Sequence, residues 1–364
     1  MRTSKTPLSP LVVGLLGALL GATGCGSDAR PSGVQANADA GAGSGPGGAN
    51  GVGFEADAAP TGGQPAGCQG GQPGTKASDI TIDAAYASKY TAFDLGEIPG
   101  LPNAKYGGIV LKAGDDNTLL VGGNANYAGA GVYEVPVIRS ACKHIVGFAG
   151  PAKKKHAADY IDGGLVYGPG GTLLFAAWPM DETVRQSTNG MLGLIQPGAS
   201  GPSKSIHGVT LGVAEALAAL NFVPTGFPGA GRLKLVTWEG GSFYDATFKL
   251  DGSGRVEDVT KADYRLTVPG GPEGFAYVPQ GSPLFGPPSM VMSEWSKNGV
   301  ATYEVASDGD PILATRKTFL TGLSGAEGAF FDPLTGDFVF STWNTMRPER
   351  IVVVLGFAPI TAPR

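Results

Sequence analysis

Two glutamates in the second half of the chain stand in closely similar local sequences. Glu273 lies in Pro-Glu-Gly-Phe-Ala-Tyr and Glu327 in Ala-Glu-Gly-Ala-Phe-Phe, and a third, Glu215, precedes another apolar run. Carboxylates that are held close together repel one another, so they favour a bound cation or raised pKa values. Hard oxygen ligands suit calcium better than zinc. These three glutamates are therefore candidate ligands of Ca²⁺.

Tryptophans recur at matching places after the apolar runs. The candidate ligand-facing residues are these tryptophans and the polar residues beside them: Trp178, Trp238, Glu239, Glu294, Trp295, Asn298, Trp343 and Asn344. Indole rings offer stacking surface and the carboxylates offer polarity. The same recurrence would follow if the tryptophans packed between structural repeats and the glutamates capped strands. Both interpretations stay open at this point.

An internal repeat must position these side chains. Residues 325–343 contain an apolar segment, a Pro-Leu-Thr-Gly turn and a second apolar segment that ends at Trp343. Weaker copies recur with a period of about 55 residues, which is typical of β-propeller blades built from short strands. The equivalent positions in the five copies are Leu111, Tyr167, Phe222, Tyr277 and Phe331.

The repeats predict an all-β propeller of five blades. The fifth copy is one strand short. Residues 90–98 have the pattern of a strand and are not part of any other copy. We therefore expect this N-terminal strand to join the fifth blade and close the ring. Six blades are the alternative, if residues 76–106 and 149–162 supply further strands. Residues 214–220 are the one helix-like patch.

Blade geometry predicts which residues meet. The start of the innermost strand and the loop after the second strand lie on the same face of a four-stranded blade. We therefore expect Glu273 and Glu327 on the face that carries the tryptophans, near the mouth of the central channel. Glu215 is expected to join them, displaced by an extra turn of chain.

The N-terminal region predicts a lipid-anchored protein. Residues 1–24 combine a basic start, a short apolar run and small residues before Cys25, which resembles the lipobox of bacterial lipoproteins. That resemblance implies a signal peptide that is cleaved before Cys25 and a lipidated cysteine. By resemblance to Gram-negative lipoproteins, Gly26 in place of aspartate implies the outer membrane rather than the inner one, facing either the periplasm or the outside. Residues 25–75 are rich in glycine, alanine and proline and predict a disordered tether, followed by the propeller domain at 76–364.

Two cysteines remain after Cys25. Cys68 ends the tether and Cys142 lies in the first blade. Outside the cytoplasm a disulfide between them is allowed, and it is predicted here over two unpaired thiols.

The Pro-Glu-Gly and Ala-Glu-Gly segments, with Phe331-Asp332-Pro333-Leu334-Thr335-Gly336-Asp337, resemble blades of NHL and SMP-30/gluconolactonase-like propellers. In the lactonase branch, a glutamate at the start of an inner strand binds a divalent metal on the axis. The resemblance implies that role for Glu273 and Glu327, while the other ligands of that family are not identifiable. It is specific for the fold and weak for the activity.

The whole sequence favours a binding function over a reaction. The formal net charge of −5 argues against a nucleic-acid partner. The common serine-hydrolase, nucleotide and zinc-protease motifs are missing from the sequence. We expect a monomeric, membrane-anchored binding platform for an unknown protein, glycan or small molecule. The alternative is a metal-dependent hydrolase of the lactonase or esterase kind.

Overall fold

The computed structural model describes residues 74–101, 105–214, 216–344 and 348–360. The predicted signal peptide and almost all of the predicted tether lie outside these ranges. Within them, no helix combines the length and apolar character needed to cross a membrane.

Five antiparallel sheets form the blades of a propeller. The first three blades follow one another along the chain. Blade one contains β4 (Tyr106–Leu111), β5 (Thr118–Gly123), β6 (Gly131–Arg139), β7 (Ile145–Phe148) and β8 (Lys153–Ala157). Blade two contains β9 (Ile161–Tyr167), β10 (Leu173–Ala177), β11 (Met191–Ile195) and β12 (Lys204–His207). Blade three contains β13 (Leu217–Phe222), β14 (Leu233–Thr237), β15 (Ser242–Leu250) and β16 (Val256–Thr267).

The last two blades each take strands from the N-terminal segment. Blade four contains β17 (Pro272–Tyr277), β18 (Ser289–Glu294), β19 (Gly299–Val305), β20 (Pro311–Thr321) and the short β2 (Thr81–Ile82). Blade five contains β21 (Ala326–Phe331), β22 (Phe338–Thr342), β23 (Ile351–Leu355), β3 (Thr91–Gly96) and β1 (Thr75–Lys76). Two short helices, α1 (Glu182–Thr188) and α2 (Gly208–Leu211), flank the outer half of blade two.

The prediction of five blades closed by an N-terminal strand is confirmed. β3 pairs with β23 from Thr91, opposite Leu355, to Gly96, opposite Ile351. The segments that could have supplied a sixth blade instead extend existing sheets. β8 pairs with the first half of β6 and β7 with its second half, so together they form the outer edge of blade one.

The hydrophobic core is divided into five clusters, one between each pair of neighbouring blades. Side chains alternate between the two faces of a strand, so Leu119 packs toward blade five while Leu120 packs toward blade two. Both faces of each blade are therefore buried. This explains why the strands read as continuous apolar runs rather than as alternating patterns.

The prediction of helical character at 214–220 is wrong. Residues 217–222 form β13, the innermost strand of blade three. Leucine and alanine are among the strongest helix formers, but the preference per residue is small and tertiary packing overrides it. The inner strands of blades two and three approach closely here, since a Cβ at Gly164 would lie only 3.0 Å from Cα of Ala219.

Ion pairs join the first blade to the last. Arg139 Nη1 lies 2.6 Å from Oδ2 of Asp332, and His144 Nδ1 lies 2.7 Å from Oδ2 of Asp337. Burial raises the pKa of Asp332, and the Arg139 guanidinium opposes that rise. The hydrogen bond to Asp337 raises the pKa of His144. The Asp-Pro-Leu-Thr-Gly-Asp turn of the repeat therefore helps to close the ring.

Candidate functional site

The five innermost strands begin with the same backbone arrangement. The residue after the second strand donates its N–H to the carbonyl of a residue just before the innermost strand. In blades two to five that donor is a tryptophan, with N···O distances of 2.9 Å for Trp178, 3.2 Å for Trp238, 3.0 Å for Trp295 and 2.8 Å for Trp343. In blade one it is Ala125, the second residue after β5, at 3.1 Å. The tryptophans thus lie on the face where the inner strands start, as expected.

A β-bulge follows the first paired residue of every innermost strand. Bulges change the direction of a side chain at sheet ends. The residue directly after the first paired residue is acidic in three blades: Asp162 in β9, Glu273 in β17 and Glu327 in β21. The other two blades carry Gly107 and Ala218.

The three acidic residues converge on the axis. One carboxylate oxygen from each lies within 4.8 Å of the other two. The residues are buried, with exposed fractions of 2% for Asp162, 7% for Glu273 and 2% for Glu327. We call them the acidic triad. The structure therefore brings together the two predicted glutamates and adds an aspartate from blade two.

Glycines close the axis beside the triad. A Cβ at Gly163 would lie 1.7 Å from the carbonyl oxygen of Glu273, and one at Gly274 would lie 2.4 Å from that of Glu327. A Cβ at Gly328 would meet Cα of Gly108 at 2.5 Å. Backbones thus touch across the centre of the ring. The glycine that follows each acidic residue is required by this close approach.

A separate cavity of about 490 Å³ lies at the other end of the inner strands. Its lining is mainly apolar and includes Val110, Leu165, Ala276 and Phe330. Because the glycine contacts lie between the two ends, the acidic triad belongs to the tryptophan side of the molecule.

The triad is an electrostatically costly arrangement when it is fully ionised. Burial raises the pKa of Asp162 to about 7, although hydrogen bonds from Glu327 and from Nδ2 of Asn126, at 2.9 Å, oppose the rise. Burial and the charge of Asp162 raise the pKa of Glu273. Burial, followed by the charges of Glu273 and Asp162, raises the pKa of Glu327. Without a cation, these groups retain protons at pH values where exposed carboxyls have lost them.

The donor set fits a hard divalent cation. It offers carboxylate oxygens from three strands, which is the ligand chemistry of Ca²⁺ and Mg²⁺. Oε2 of Glu273 is buried and has no hydrogen-bond partner among the described residues. Sulfur and imidazole donors are missing from the cluster, so the set suits calcium or magnesium better than zinc.

The four tryptophans form a continuous row of rings that we call the tryptophan arc. Ring centroids are 5.7 Å apart for Trp178 and Trp238, 5.9 Å for Trp238 and Trp295, and 6.3 Å for Trp295 and Trp343. Each of these tryptophan residues is half-buried. Trp295 donates its indole N–H to the carbonyl of Trp343 at 3.1 Å.

The indole rings also reach the neighbouring blade. A Cβ at Gly271, two residues before Glu273, would lie 2.9 Å from Nε1 of Trp238. A Cβ at Gly325, two residues before Glu327, would lie 3.3 Å from Nε1 of Trp295. Each of these tryptophans therefore packs against the chain that leads into a triad strand, which accounts for glycine at both positions.

Lys105 and Glu349 lie at the end of the arc. Nζ of Lys105 is 4.4 Å from the ring centre of Trp343 and 3.2 Å from Oε1 of Glu349, and it also donates to the carbonyl of Asn344. Burial raises the pKa of Glu349 to about 7. Its Oε1 also accepts the backbone N–H of Asn344 at 2.6 Å. Asn344 is thus held by these two residues.

The other predicted site residues are not brought together with the triad. Glu239 and Asn298 are exposed in loops of the tryptophan side. Glu294 is buried inside blade four, where Oε1 accepts from Arg316 Nε at 2.8 Å and from the Tyr303 hydroxyl at 3.1 Å. Its carboxylate is therefore part of the blade rather than of a ligand surface.

Several predicted residues lie outside the described residues. These are Glu215, Cys25 and Cys68. Cys142 is disulfide-bonded, and its pairing with Cys68 stays a prediction.

Sequence reasoning missed Asp162 and Asn126. Ile161-Asp162-Gly163-Gly164 has the acid–glycine order of the two glutamate segments, with the shorter aspartate in place of glutamate. That order was the available signal. Asn126 gave none, because it lies in the loop after β5 and reaches Asp162 only through a backbone with φ of 68°.

No protein-family model and no curated protein matches this sequence. Solved structures that resemble it include a protein described as glucose dehydrogenase, with 13% identity and a TM-score of 0.41 over 75% of this chain and 94% of that one. The PQQ-bound aldose sugar dehydrogenase from Streptomyces coelicolor has 15% identity and a TM-score of 0.41 over 72% and 83%. A luciferin-regenerating enzyme has 10% identity and a TM-score of 0.41 over 78% and 99%. These likenesses are distant, and the five-bladed assignment rests on the strand pairing itself.

Proposed function

We propose that this protein is a ligand-binding β-propeller whose tryptophan side carries a divalent-cation site at the axis. The observation that supports this most directly is the acidic triad, in which three buried carboxylates come within 4.8 Å of one another. Such a group is stable only when protons or a cation offset the repulsion. A bound divalent cation would let all three carboxylates ionise.

Asp162, Glu273 and Glu327 are the residues that would hold the cation. Calcium takes oxygen ligands in flexible numbers, whereas magnesium demands a near-ideal octahedron. Three carboxylates from three separate strands suit the more flexible ion. The exposed loops around the tryptophan arc would then receive the ligand or partner.

The chain would present this platform from a membrane. Our proposal is that Cys25 carries lipid at the outer membrane and that residues 26–75 act as a tether. Fifty flexible residues have an r.m.s. reach of ~40 Å. Replacing Cys25 with serine should move the protein from the membrane fraction to the soluble fraction. Retention of the Cys25→Ser variant in washed outer membranes would contradict the lipid anchor.

A metal-dependent hydrolase of the lactonase or esterase kind is the second candidate. The acidic triad is also the observation that favours it, because three carboxylates from separate strands could hold a divalent cation at the axis. A bound cation would supply Lewis acidity toward a carbonyl oxygen.

Thermal unfolding with calcium and with a chelator tests the cation site. A site at a hundred times its dissociation constant adds ~2.7 kcal/mol, which for a domain of this size raises the midpoint by a few degrees. The increase should disappear in Glu273→Gln and Glu327→Gln and persist in Glu239→Gln, the exposed control on the same side. An unchanged midpoint in the native protein would contradict the cation site. Calcium-dependent turnover of lactones or esters would favour the hydrolase over the binding platform.

A further inference from the structure

The cavity at the end of the inner strands opposite the acidic triad is lined by all five blades. Its volume of about 490 Å³ falls within the range of ~300–1,000 Å³ that is typical of small-molecule sites. The glycine contacts across the axis separate it from the triad. The cavity is therefore distinct from the proposed cation site.

Five equivalent positions form a ring in the wall of this cavity. Each is the residue before the last paired residue of an innermost strand, and the five are Val110, Val166, Asn221, Ala276 and Phe330. The ring is thus apolar in four blades and carries an amide in blade three. Val110, Val166 and Asn221 each keep part of their surface exposed, so a molecule in the cavity can contact them.

The Asn221 amide is held in a defined orientation. Its Nδ2 donates to the carbonyl of Phe275, in the inner strand of blade four, at 2.9 Å. This bond leaves Oδ1 as the acceptor that the amide presents, and within the described ranges Oδ1 accepts no hydrogen bond. An amide oxygen has two lone pairs. A ligand that donates an O–H would therefore satisfy it.

The innermost strands also present backbone groups to the axis. Each of them has a neighbouring strand on one side only, so some N–H and C=O groups along its inner edge are not used by the sheet. The Phe275 carbonyl that Asn221 binds is one of these groups. A hydroxyl oxygen in the cavity could accept a backbone N–H while its own proton is donated to Oδ1 of Asn221.

The charges of the lining favour a neutral ligand. The charged residues that line the cavity, Lys112 and Asp116, have opposite signs. Nζ of Lys112 also lies 3.0 Å from Oε1 of Glu134 and 3.6 Å from Oδ2 of Asp115, so its charge is already matched. Because the lining has no net charge, burying a charged ligand among its apolar side chains would be costly.

We propose that this cavity binds a neutral, largely apolar molecule of two or three rings that carries a hydroxyl group. The rings would lie among Val110, Val166 and Phe330, and the hydroxyl would donate to Oδ1 of Asn221. Rigid rings lose little conformational freedom on binding. This site lies beyond the proposed function, since it uses none of the residues of the tryptophan side.

The pair 2-naphthol and 2-methoxynaphthalene tests the hydroxyl contact. The two molecules share a ring system, but only the naphthol can donate a hydrogen bond. Calorimetric titration of the full chain should show saturable binding of both, with the ether weaker by about three- to tenfold, which is the effect of one hydrogen bond. Asn221→Leu removes the acceptor and should make the two affinities equal. The proposal is overturned if 2-naphthol shows no saturable binding, if the native protein binds both molecules equally, or if Asn221→Leu keeps the preference.

Matched valine variants locate the binding. Val166→Phe and Val110→Phe extend partly exposed side chains of two blades and should remove most of the binding of both molecules. Val209→Phe makes the same change at an exposed position of α2 and should bind with native affinity. Native affinity in both cavity variants, or loss of binding in chelator, would place the molecule elsewhere and overturn the proposal. Binding that persists in chelator and is lost in the cavity variants supports it, whatever calcium does to the melting temperature.

Discussion

Asp162 and Glu327 share a hydrogen bond between their carboxyl groups although their strands belong to blades two and five, which are not neighbours in the ring. The contact is possible because glycines let the inner strands approach one another across the axis. Two carboxyls can form such a bond only when one of them keeps a proton. The protonation of this pair therefore links opposite sides of the propeller.

The first prediction concerns pH. Burial raises the pKa of Asp162 from 3.8 to about 7, and the pKa values of Glu273 and Glu327 are raised as well. The folded state therefore binds more protons than the unfolded state above pH 4, so stability should fall as pH rises through about 7. At ~1.4 kcal/mol per pKa unit, Asp162 alone accounts for at most about 4 kcal/mol of this decrease in the free energy of unfolding.

Urea unfolding between pH 5 and pH 8 measures this effect. In chelator, the free energy of unfolding should decrease across the range. Saturating calcium should flatten the decrease, because it stabilises the ionised carboxylates. A protein that is more stable at pH 8 than at pH 5 in chelator would show that the triad is not protonated in the folded state.

The second prediction is that Glu273→Gln has opposite effects with and without calcium. Oε2 of Glu273 has no partner among the described residues, so the neutral amide removes a carboxyl whose ionisation is opposed by burial and by Asp162. In chelator at pH 8 the variant should be more stable than the native protein by about 1–3 kcal/mol. In calcium it should lose the stabilisation that the native protein gains. Glu239→Gln, at an exposed position, should change neither value, and a loss of stability of Glu273→Gln in chelator would contradict the repulsion.

The third prediction tests the closed axis. Gly163→Ala would place a Cβ 1.7 Å from the carbonyl oxygen of Glu273, so the inner strands of blades two and four would have to separate. We expect a loss of about 3 kcal/mol or more, or failure to fold. Gly147→Ala is the matched control, since a Cβ there meets nothing within 4 Å, and its unfolding midpoint should stay near that of the native protein. Equal midpoints for the two variants would mean that the axis has room at Gly163.

The fourth prediction concerns the contact between the first and last blades. Arg139 pairs with Asp332, whose side chain is fully buried. Arg139→Met would leave that carboxylate without its cation, and removing one partner of a buried pair costs about 3–5 kcal/mol. Lys261→Met breaks the exposed pair with Asp263 and should cost less than about 1 kcal/mol. Chemical unfolding of both variants measures the difference, and an equally small loss in both would show that Asp332 is solvated without Arg139.

The repeat made the fold predictable, while the centre of the site was only partly predictable. Positions such as Tyr277 and Phe331 recur because every blade buries both faces between two neighbours. Apolar residues therefore repeat with the period of the blades. Asp162 was missed because its blade uses a shorter acid that follows Ile161, which obscures the likeness to Pro272-Glu273-Gly274. Glu294 was misplaced for another reason: a loop position next to Trp295 does not reveal that Arg316, two strands away, holds its carboxylate.

The pairing of β3 with β23 sets the order in which the molecule can assemble. The partners Thr91 and Leu355 are separated by nearly the whole domain, and contacts between such distant residues form slowly because a long loop must first be closed. While the chain is being synthesised, blade five has no third strand until Leu355 has emerged, and the exposed edges of β3 and β22 remain open to incorrect partners. A circular permutant that places residues 74–101 after residue 360 would turn this pairing into a local hairpin, and it should fold faster while keeping the same ring.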